Sequence, residues 1–250
     1  MNITSQKKYL HFTLFLSIFN IQSAFNMQLD KTDNKYVAIF AHGLGGNSSH
    51  KQFYNKFIGC NIIGENGPEY DNTTGKIDIK KICLAQDKDI EVVEKQIQNH
   101  QENIILVGIS KGAATMINTI GKLAKHNSQH LNKIKAIILD SPFASPKDVA
   151  TNILKQCSQK TLGSCGESME SCIDNSLVSS TINKLGIPYV YPNYNPKGIT
   201  PIKAVEEWNK IDNKNIVIVF IHSKKDSLIS VNDSRQLYIK LLEIGFKNLY

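Results

Sequence analysis

Hydrophobic residues along the chain form short runs, separated by longer stretches with helical spacing. Four runs contain almost no polar residue and are too short for helices, so they predict buried strands: Val37–Ala41, Ile104–Val107, Ile134–Leu139 and Ile216–Ile221. Lys81–Ala85 is a weaker candidate for a strand. Because the runs do not alternate with polar residues, we expect both faces of the sheet to be covered, as in a parallel sheet between helices.

Helices are predicted between these strands. Isoleucine and valine side chains share one face of a helix over Asp89–His100, and similar spacing predicts helices over Ala113–Lys125 and Ser234–Ile244. The alternation of strands and helices indicates the α/β class, with a mostly parallel sheet and helices on both faces.

The segment 142–201 breaks the alternation. It contains most of the prolines and three of the five cysteines, and its hydrophobic periodicity is poor. We expect it to form a cap insertion over the carboxyl edge of the sheet, within one domain that spans 25–250.

The N-terminus has the pattern of a targeting segment. A pair of lysines precedes the largely apolar stretch Tyr9–Ile21, and small residues follow at Ser23 and Ala24. This order is typical of a secretory signal peptide, here 1–24. The apolar stretch is shorter than a typical membrane-spanning helix. We therefore expect a secreted or periplasmic protein with no stable membrane span after cleavage. An uncleaved anchor and an ordinary core segment remain alternatives.

Composition limits the partners of the protein. The 250 residues include 41% hydrophobic and 20% charged residues, which is a globular balance, and the formal net charge is +7. The lysines are scattered and no aromatic residues interleave with them, so no nucleic-acid partner is predicted.

Five cysteines can form disulfides in an exported protein. Cys157, Cys165 and Cys172 are close together in the predicted cap, and Cys60 and Cys83 flank another segment. Two disulfides and one free thiol are expected, with the pairing left open. No C-x-x-C pair is present, so no zinc site is predicted.

The strongest chemical signal is Gly108-Ile109-Ser110-Lys111-Gly112, between a predicted strand and a predicted helix. A G-x-S-x-G sequence in this context forms an elbow that exposes the serine hydroxyl at the sheet edge, next to a helix N-terminus. Ser110 is therefore a candidate nucleophile. The alternative is a glycine-rich turn with an incidental serine.

A second glycine-rich turn, His42-Gly43-Leu44-Gly45-Gly46, follows the first strand. Acyl transfer needs two amide donors for the developing oxyanion, and the backbone N–H groups of Lys111 and Leu44 are the candidates. A dinucleotide-binding loop is disfavoured because Ser48 occupies the place of its last glycine. A plain tight turn remains an alternative.

In this order the motifs resemble the α/β-hydrolase superfamily over a region from about Tyr36 to the C-terminus. The stretch Asp140-Ser141-Pro142-Phe143 is similar to the serine-aminopeptidase and prolyl-oligopeptidase-like branch and its esterase relatives. The resemblance implies that Asp226 is the acid of a catalytic triad, with Asp140 as the alternative acid.

The same resemblance places the general base on a loop after the last strand. No histidine follows Asp226, and Phe246–Tyr250 has the pattern of the first residues of that strand. We therefore expect the rest of the strand and the catalytic-histidine loop to be missing from a C-terminally truncated chain. His222 is a possible surrogate base. His42 is another, although in this family it usually holds the loop.

The resemblance implies a serine hydrolase that acts on carboxylic esters, thioesters or small peptide amides, without a metal or other cofactor. Its partner would be a small acyl or peptide substrate. The alternative is a catalytically inactive protein of the same fold that binds a lipid, a peptide or a protein. The Lys111 side chain is expected to be solvated or to contact the cap.

Overall fold

The structure is a computed structural model that describes residues 36–152 and 191–250. The predicted signal peptide, most of the predicted cap and the cysteines at 157, 165 and 172 lie outside the described residues. The elements in chain order are β1 (Tyr36–Ala41), α1 (Gln52–Ile58), β2 (Asn61–Ile63), α2 (Lys88–Asn99), β3 (Asn103–Ile109), α3 (Lys111–Lys125), β4 (Ile134–Asp140), α4 (Pro201–Glu207), β5 (Val217–Ile221) and α5 (Val231–Glu243). Short 3₁₀ helices lie at Ser48–Lys51, Ile79–Lys81, Gln129–Lys133 and Trp208–Lys210.

The five described strands form one parallel sheet in the order β2-β1-β3-β4-β5. Successive residues of a strand point to opposite faces. Thus Ile39 packs with α2, α3 and α4 on one face, whereas Phe40 packs with Tyr54 of α1 on the other. This burial on both faces confirms the predicted parallel sheet between helices.

The parallel arrangement brings the carboxyl ends of the strands to one edge of the sheet. His42 follows β1, Ser110 follows β3, Asp140 ends β4 and His222 follows β5. Every candidate site residue in the sequence therefore lies at or after this edge.

The weaker strand prediction, Lys81–Ala85, is wrong. A 3₁₀ helix ends at Lys81, and Leu84 and Ala85 have positive φ angles of 50° and 70°. The Asp89 carboxylate accepts from the Ala85 amide at 2.9 Å, and the Asn118 side chain donates to the Ala85 carbonyl at 2.8 Å. Because side chains satisfy this backbone, burial here does not require a strand. The pattern also missed the three-residue strand β2.

The last residues of the chain pair with β5. Leu249 forms a parallel bridge with Ile218, and the Ile218 amide donates to the Asn248 carbonyl at 2.9 Å. The Tyr250 amide in turn donates to the Ile218 carbonyl at 3.0 Å. These bonds place Asn248–Tyr250 beside β5 in parallel pairing, as an isolated bridge.

Cys60 and Cys83 are free thiols, so the expectation of disulfides finds no support within the described part of the chain. Burial raises the pKa of Cys83 to about 11, which favours the protonated thiol at neutral pH. No helix within the described ranges has the length and apolarity that a membrane span requires.

Candidate active site

Ser110 lies at the tip of a sharp turn between β3 and α3. Its backbone has φ 52° and ψ −115°, a strained conformation for a residue with a side chain. The Ser110 amide donates to the Asp140 carbonyl at 2.7 Å, which ties the turn to the end of β4. The hydroxyl group is thereby held at the carboxyl edge of the sheet, as the G-x-S-x-G pattern predicts.

The two glycines of the motif are required by close backbone contacts. A Cβ atom on Gly108 would lie 2.5 Å from the Cα of Ala113. A Cβ atom on Gly112 would lie 2.0 Å from the carbonyl oxygen of Ala41. Glycine therefore allows the first turn of α3 to lie against both β3 and the end of β1.

The glycine-rich turn after β1 packs directly against Ser110. A Cβ atom on Gly43 would be 3.4 Å from the Ser110 Cβ. The Gly46 amide donates to the Gly43 carbonyl at 3.0 Å, and Gly45 has φ +76°, as in a type II turn.

Two amide groups beside Ser110 are free to bind an anion. The Leu44 amide has no acceptor within the described ranges. The Lys111 amide lies in the first turn of α3, where no intrahelical acceptor exists and no side chain caps it. Lys111 follows Ser110 directly in the chain, and the turn that carries Leu44 packs against Ser110 at Gly43. The arrangement can donate two hydrogen bonds to a negatively charged oxygen.

His42 is buried and hydrogen-bonded through both ring nitrogens. Its Nε2 accepts from the Gly67 amide at 2.7 Å, so its Nδ1 carries the proton and donates to the Gly43 carbonyl at 2.9 Å. Burial lowers the pKa of His42. A neutral ring with both nitrogens occupied holds the turn and does not supply a free base.

The predicted solvation of the Lys111 side chain is wrong. Lys111 is 3% exposed, and its Nζ lies 2.6 Å from the Glu69 Oε1 and 2.8 Å from the Asp89 Oδ1. A contact with residues 153–190 of the predicted cap lies outside the described residues. Two buried acids, remote in sequence, provide the partners that make this burial possible.

Asp226 holds the turn after β5. Its Oδ1 accepts from the amides of Leu228 and Ile229, both at 2.9 Å. Its Oδ2 lies 3.8 Å from the His222 Nε2. One carboxylate oxygen is thus committed to the local backbone, and the other is left to orient a histidine.

His222 is hydrogen-bonded through both ring nitrogens. Its Nε2 is 3.0 Å from the Ile229 carbonyl, which can only accept, so Nε2 carries the proton. Its Nδ1 then accepts from the Ser234 hydroxyl at 2.6 Å. Both nitrogens are used within the β5–α5 region, so the hydrogen bonds do not support His222 as a surrogate base.

Asp140 has two hydroxyl partners. Tyr54 donates to its Oδ2 at 2.8 Å and Ser141 donates to its Oδ1 at 3.0 Å. Burial raises the pKa of Asp140. Burial also raises the pKa of Tyr54, and the neighbouring charge of Asp140 adds to the effect. This carboxyl group links the end of β4 to α1, so these hydrogen bonds support a structural role for Asp140.

The structure packs the turn that carries Leu44 against the Ser110 elbow, with Lys111 next in the chain. Within the described ranges, no hydrogen bond joins Ser110 to His42, His222 or Asp226. Glu69 and Asp89, the buried partners of Lys111, were not predicted from the sequence. The only local signal was the position of Asp89 in the first helical turn, which also fits an exposed acid favoured by the helix dipole.

Comparisons with known proteins identify the fold. No protein-family model and no curated protein matches the sequence. An esterase from Pyrococcus furiosus, solved in two space groups, superimposes with TM-scores of 0.50 and 0.52 at 16% identity, covering 88% of this chain and 74% of the esterase. A monoacylglycerol lipase from Paleococcus ferrophilus gives a TM-score of 0.50 at 18% identity, covering 85% and 81% of the two chains. The protein has the α/β-hydrolase fold.

Proposed function

We propose that the protein is a serine hydrolase that cleaves carboxylic esters, with Ser110 as the nucleophile. The observation that carries the proposal is the strained elbow at Ser110 (φ 52°), beside two amide groups without acceptors. The similar structures are named as an esterase and a monoacylglycerol lipase, so an ester is the first substrate to test. Thioesters and small peptide amides are the next substrates to test.

In this mechanism the Ser110 Oγ attacks the carbonyl carbon of the ester. The carbonyl oxygen becomes an oxyanion and accepts hydrogen bonds from the amides of Leu44 and Lys111. The tetrahedral intermediate collapses as the bond from the carbonyl carbon to the alkoxy oxygen breaks. The alcohol leaves with the proton that the base took from the Ser110 hydroxyl, and an acyl-enzyme remains. Water then attacks the acyl group and releases the acid.

Each half-reaction requires a base, since the serine hydroxyl is a weak nucleophile at neutral pH. Asp226 is the proposed acid: its Oδ1 accepts from the local backbone, and its Oδ2 lies 3.8 Å from the His222 Nε2. Within the described ranges, both ring nitrogens of His42 and of His222 have hydrogen-bond partners. This observation favours a second candidate function: an inactive protein of the same fold that binds an acyl or peptide ligand.

Labelling with a fluorophosphonate separates the two functions. The probe reacts with an activated serine and forms a stable phosphonyl ester, detectable by mass spectrometry of the intact protein. We expect the 250-residue chain to gain one adduct, on the peptide that contains Ser110. The matched control is Ser110→Ala, and Ser141→Ala controls for the other serine that follows a strand end.

Loss of labelling only in Ser110→Ala supports the hydrolase. Labelling that persists in Ser110→Ala refutes Ser110 as the nucleophile. An unlabelled wild-type chain, with native circular dichroism, refutes the activity of this chain and supports the inactive binding protein.

A further inference from the structure

A buried ionic cluster lies directly behind the Ser110 elbow. We call Lys111, Glu69 and Asp89 the Lys111 triad. The Lys111 Nζ lies 2.6 Å from the Glu69 Oε1 and 2.8 Å from the Asp89 Oδ1, and all three side chains are at most 4% exposed. The contact with Asp89 is a hydrogen bond, whereas that with Glu69 is a close ion pair without hydrogen-bond alignment.

The charges of the triad hold one another in place. Burial lowers the pKa of Lys111, but the carboxylates of Asp89 and Glu69 outweigh it, so the net shift is upward and the ammonium stays charged. A buried ammonium is stable only beside its counter-charges. The triad therefore ties the N-terminus of α3 to the first turn of α2 and to the segment around Glu69.

The same segment is hydrogen-bonded to the glycine-rich turn after β1. The Gly67 amide donates to His42, and His42 donates to the Gly43 carbonyl, which also accepts from Gly46. Gly43 and Gly46 flank Leu44. The residues between Gly67 and Glu69 thus connect the turn that carries the Leu44 amide to the helix start that carries the Lys111 amide.

The fit between Gly67 and the triad leaves no space. A Cβ atom on Gly67 would lie 2.5 Å from the Glu69 Oε2 and 3.0 Å from the Lys111 Nζ. The Glu69 Oε2 has no hydrogen-bond partner within the described ranges, although the residue is 1% exposed. A buried carboxylate without a full set of hydrogen bonds is costly for stability alone. This cost is consistent with a role in placing its neighbours.

We infer that Glu69 is a positioning residue that fixes the Leu44 and Lys111 amides relative to each other, and so sets the geometry of the oxyanion site. The inference rests on the proposed function for its catalytic consequence. Glu69 acts on the Lys111 amide through the Lys111 side chain, and on the Leu44 amide through Gly67 and His42. Glu69 itself touches no reacting atom.

The test compares Glu69→Ala with Glu94→Ala. Glu94 pairs with Lys122 at 2.6 Å and also links α2 to α3, but its partner lies near the opposite end of α3. Hydrolysis of p-nitrophenyl butyrate gives kcat and KM. For Glu69→Ala we expect kcat to fall by about 10- to 100-fold with KM within about twofold, because displaced donors weaken transition-state binding. Glu94→Ala should keep both constants.

Amide hydrogen exchange provides a readout that does not depend on activity. The Gly67 and Gly46 amides report the two hydrogen bonds that hold the turn. In Glu69→Ala we expect both amides to exchange about tenfold faster at neutral pH, because local opening becomes easier. Glu69→Gln keeps the side-chain shape and an acceptor for Lys111. This variant should therefore keep most of the wild-type kcat and most of the slow exchange of the two amides. Gly67→Ala tests the same link if Glu69→Ala does not fold.

Faster exchange together with reduced kcat supports the positioning role. Faster exchange in a chain that neither hydrolyses the ester nor binds the fluorophosphonate supports the positioning but refutes the proposed function. Unchanged exchange of Gly67 and Gly46 in both Glu69→Ala and Gly67→Ala overturns the inference, whatever the kinetics show.

Discussion

At the scale of single residues, burial decides which groups carry charge. Asp233 lies in the first turn of α5 and is 8% exposed. Burial raises its pKa to about 6, and the nearby charge of Asp148 adds to the effect. A carboxyl group with a raised pKa stabilises the folded protein below the pKa of the unfolded state. That stabilisation is lost as the pH rises through about 6.

We therefore expect Asp233→Asn to raise the free energy of unfolding by about 1–3 kcal/mol at pH 7.5, because the amide mimics the neutral acid. The advantage should shrink as the pH falls and vanish below about pH 3, where Asp233 is protonated in both the folded and the unfolded wild type. Urea unfolding, monitored by the fluorescence of Trp208, measures the free energy of unfolding at each pH. Asp212→Asn, at an exposed position, is the control. A gain that does not depend on pH would contradict the explanation.

Ser110 and Lys111 illustrate opposite limits of sequence reasoning at this scale. The conformation of Ser110 was predictable because glycines two residues before and after it are needed locally. The burial of Lys111 was not, because its partners Glu69 and Asp89 become neighbours only when the loop and α2 pack against α3.

At the scale of elements, close packing of α3 outweighs helix propensity. Gly121 lies within α3, where alanine is favoured by about 1 kcal/mol over glycine. However, a Cβ atom at this position would lie 2.7 Å from the Cβ and 2.8 Å from the carbonyl oxygen of Ala204 in α4. Glycine at this position allows the backbones of α3 and α4 to lie in contact.

Gly121→Ala should lower the free energy of unfolding by about 1–3 kcal/mol, because the steric penalty of the added methyl group exceeds the gain in helix propensity. Denaturant unfolding gives the value. Lys125→Ala, at an exposed position of the same helix, should change stability by less than about 0.5 kcal/mol. A Gly121→Ala variant at least as stable as the wild type would show that α4 moves away at little cost.

At the scale of the whole molecule, the C-terminal residues close the core beyond β5. Leu249 is 9% exposed and belongs to the main hydrophobic cluster, and its backbone bridges Ile218. Nearby, Phe246 packs edge-on against Trp208 with ring centroids 5.8 Å apart. These contacts make residues near the C-terminus part of the fold rather than an appendage.

Leu249→Ala should therefore cost about 2–4 kcal/mol of unfolding free energy, the usual range for truncating a buried leucine. Tyr250→Ala should cost less than about 0.5 kcal/mol, because that side chain is 52% exposed and its backbone bonds remain. Equilibrium unfolding in urea compares the pair. Equal effects of the two changes would contradict a structural role for the Leu249 side chain.

The sequence by itself determined the parallel sheet, its main helices and the Ser110 elbow. These features depend on local patterns: unbroken apolar runs, helical spacing and glycines at fixed offsets from a serine. Export of the chain remains a prediction from residues 1–24. The tertiary structure alone decided that Lys111 is buried and that His222 bonds Ser234 and Ile229. Such contacts join residues that share no helical or strand period, and a local pattern carries no information about which of them meet.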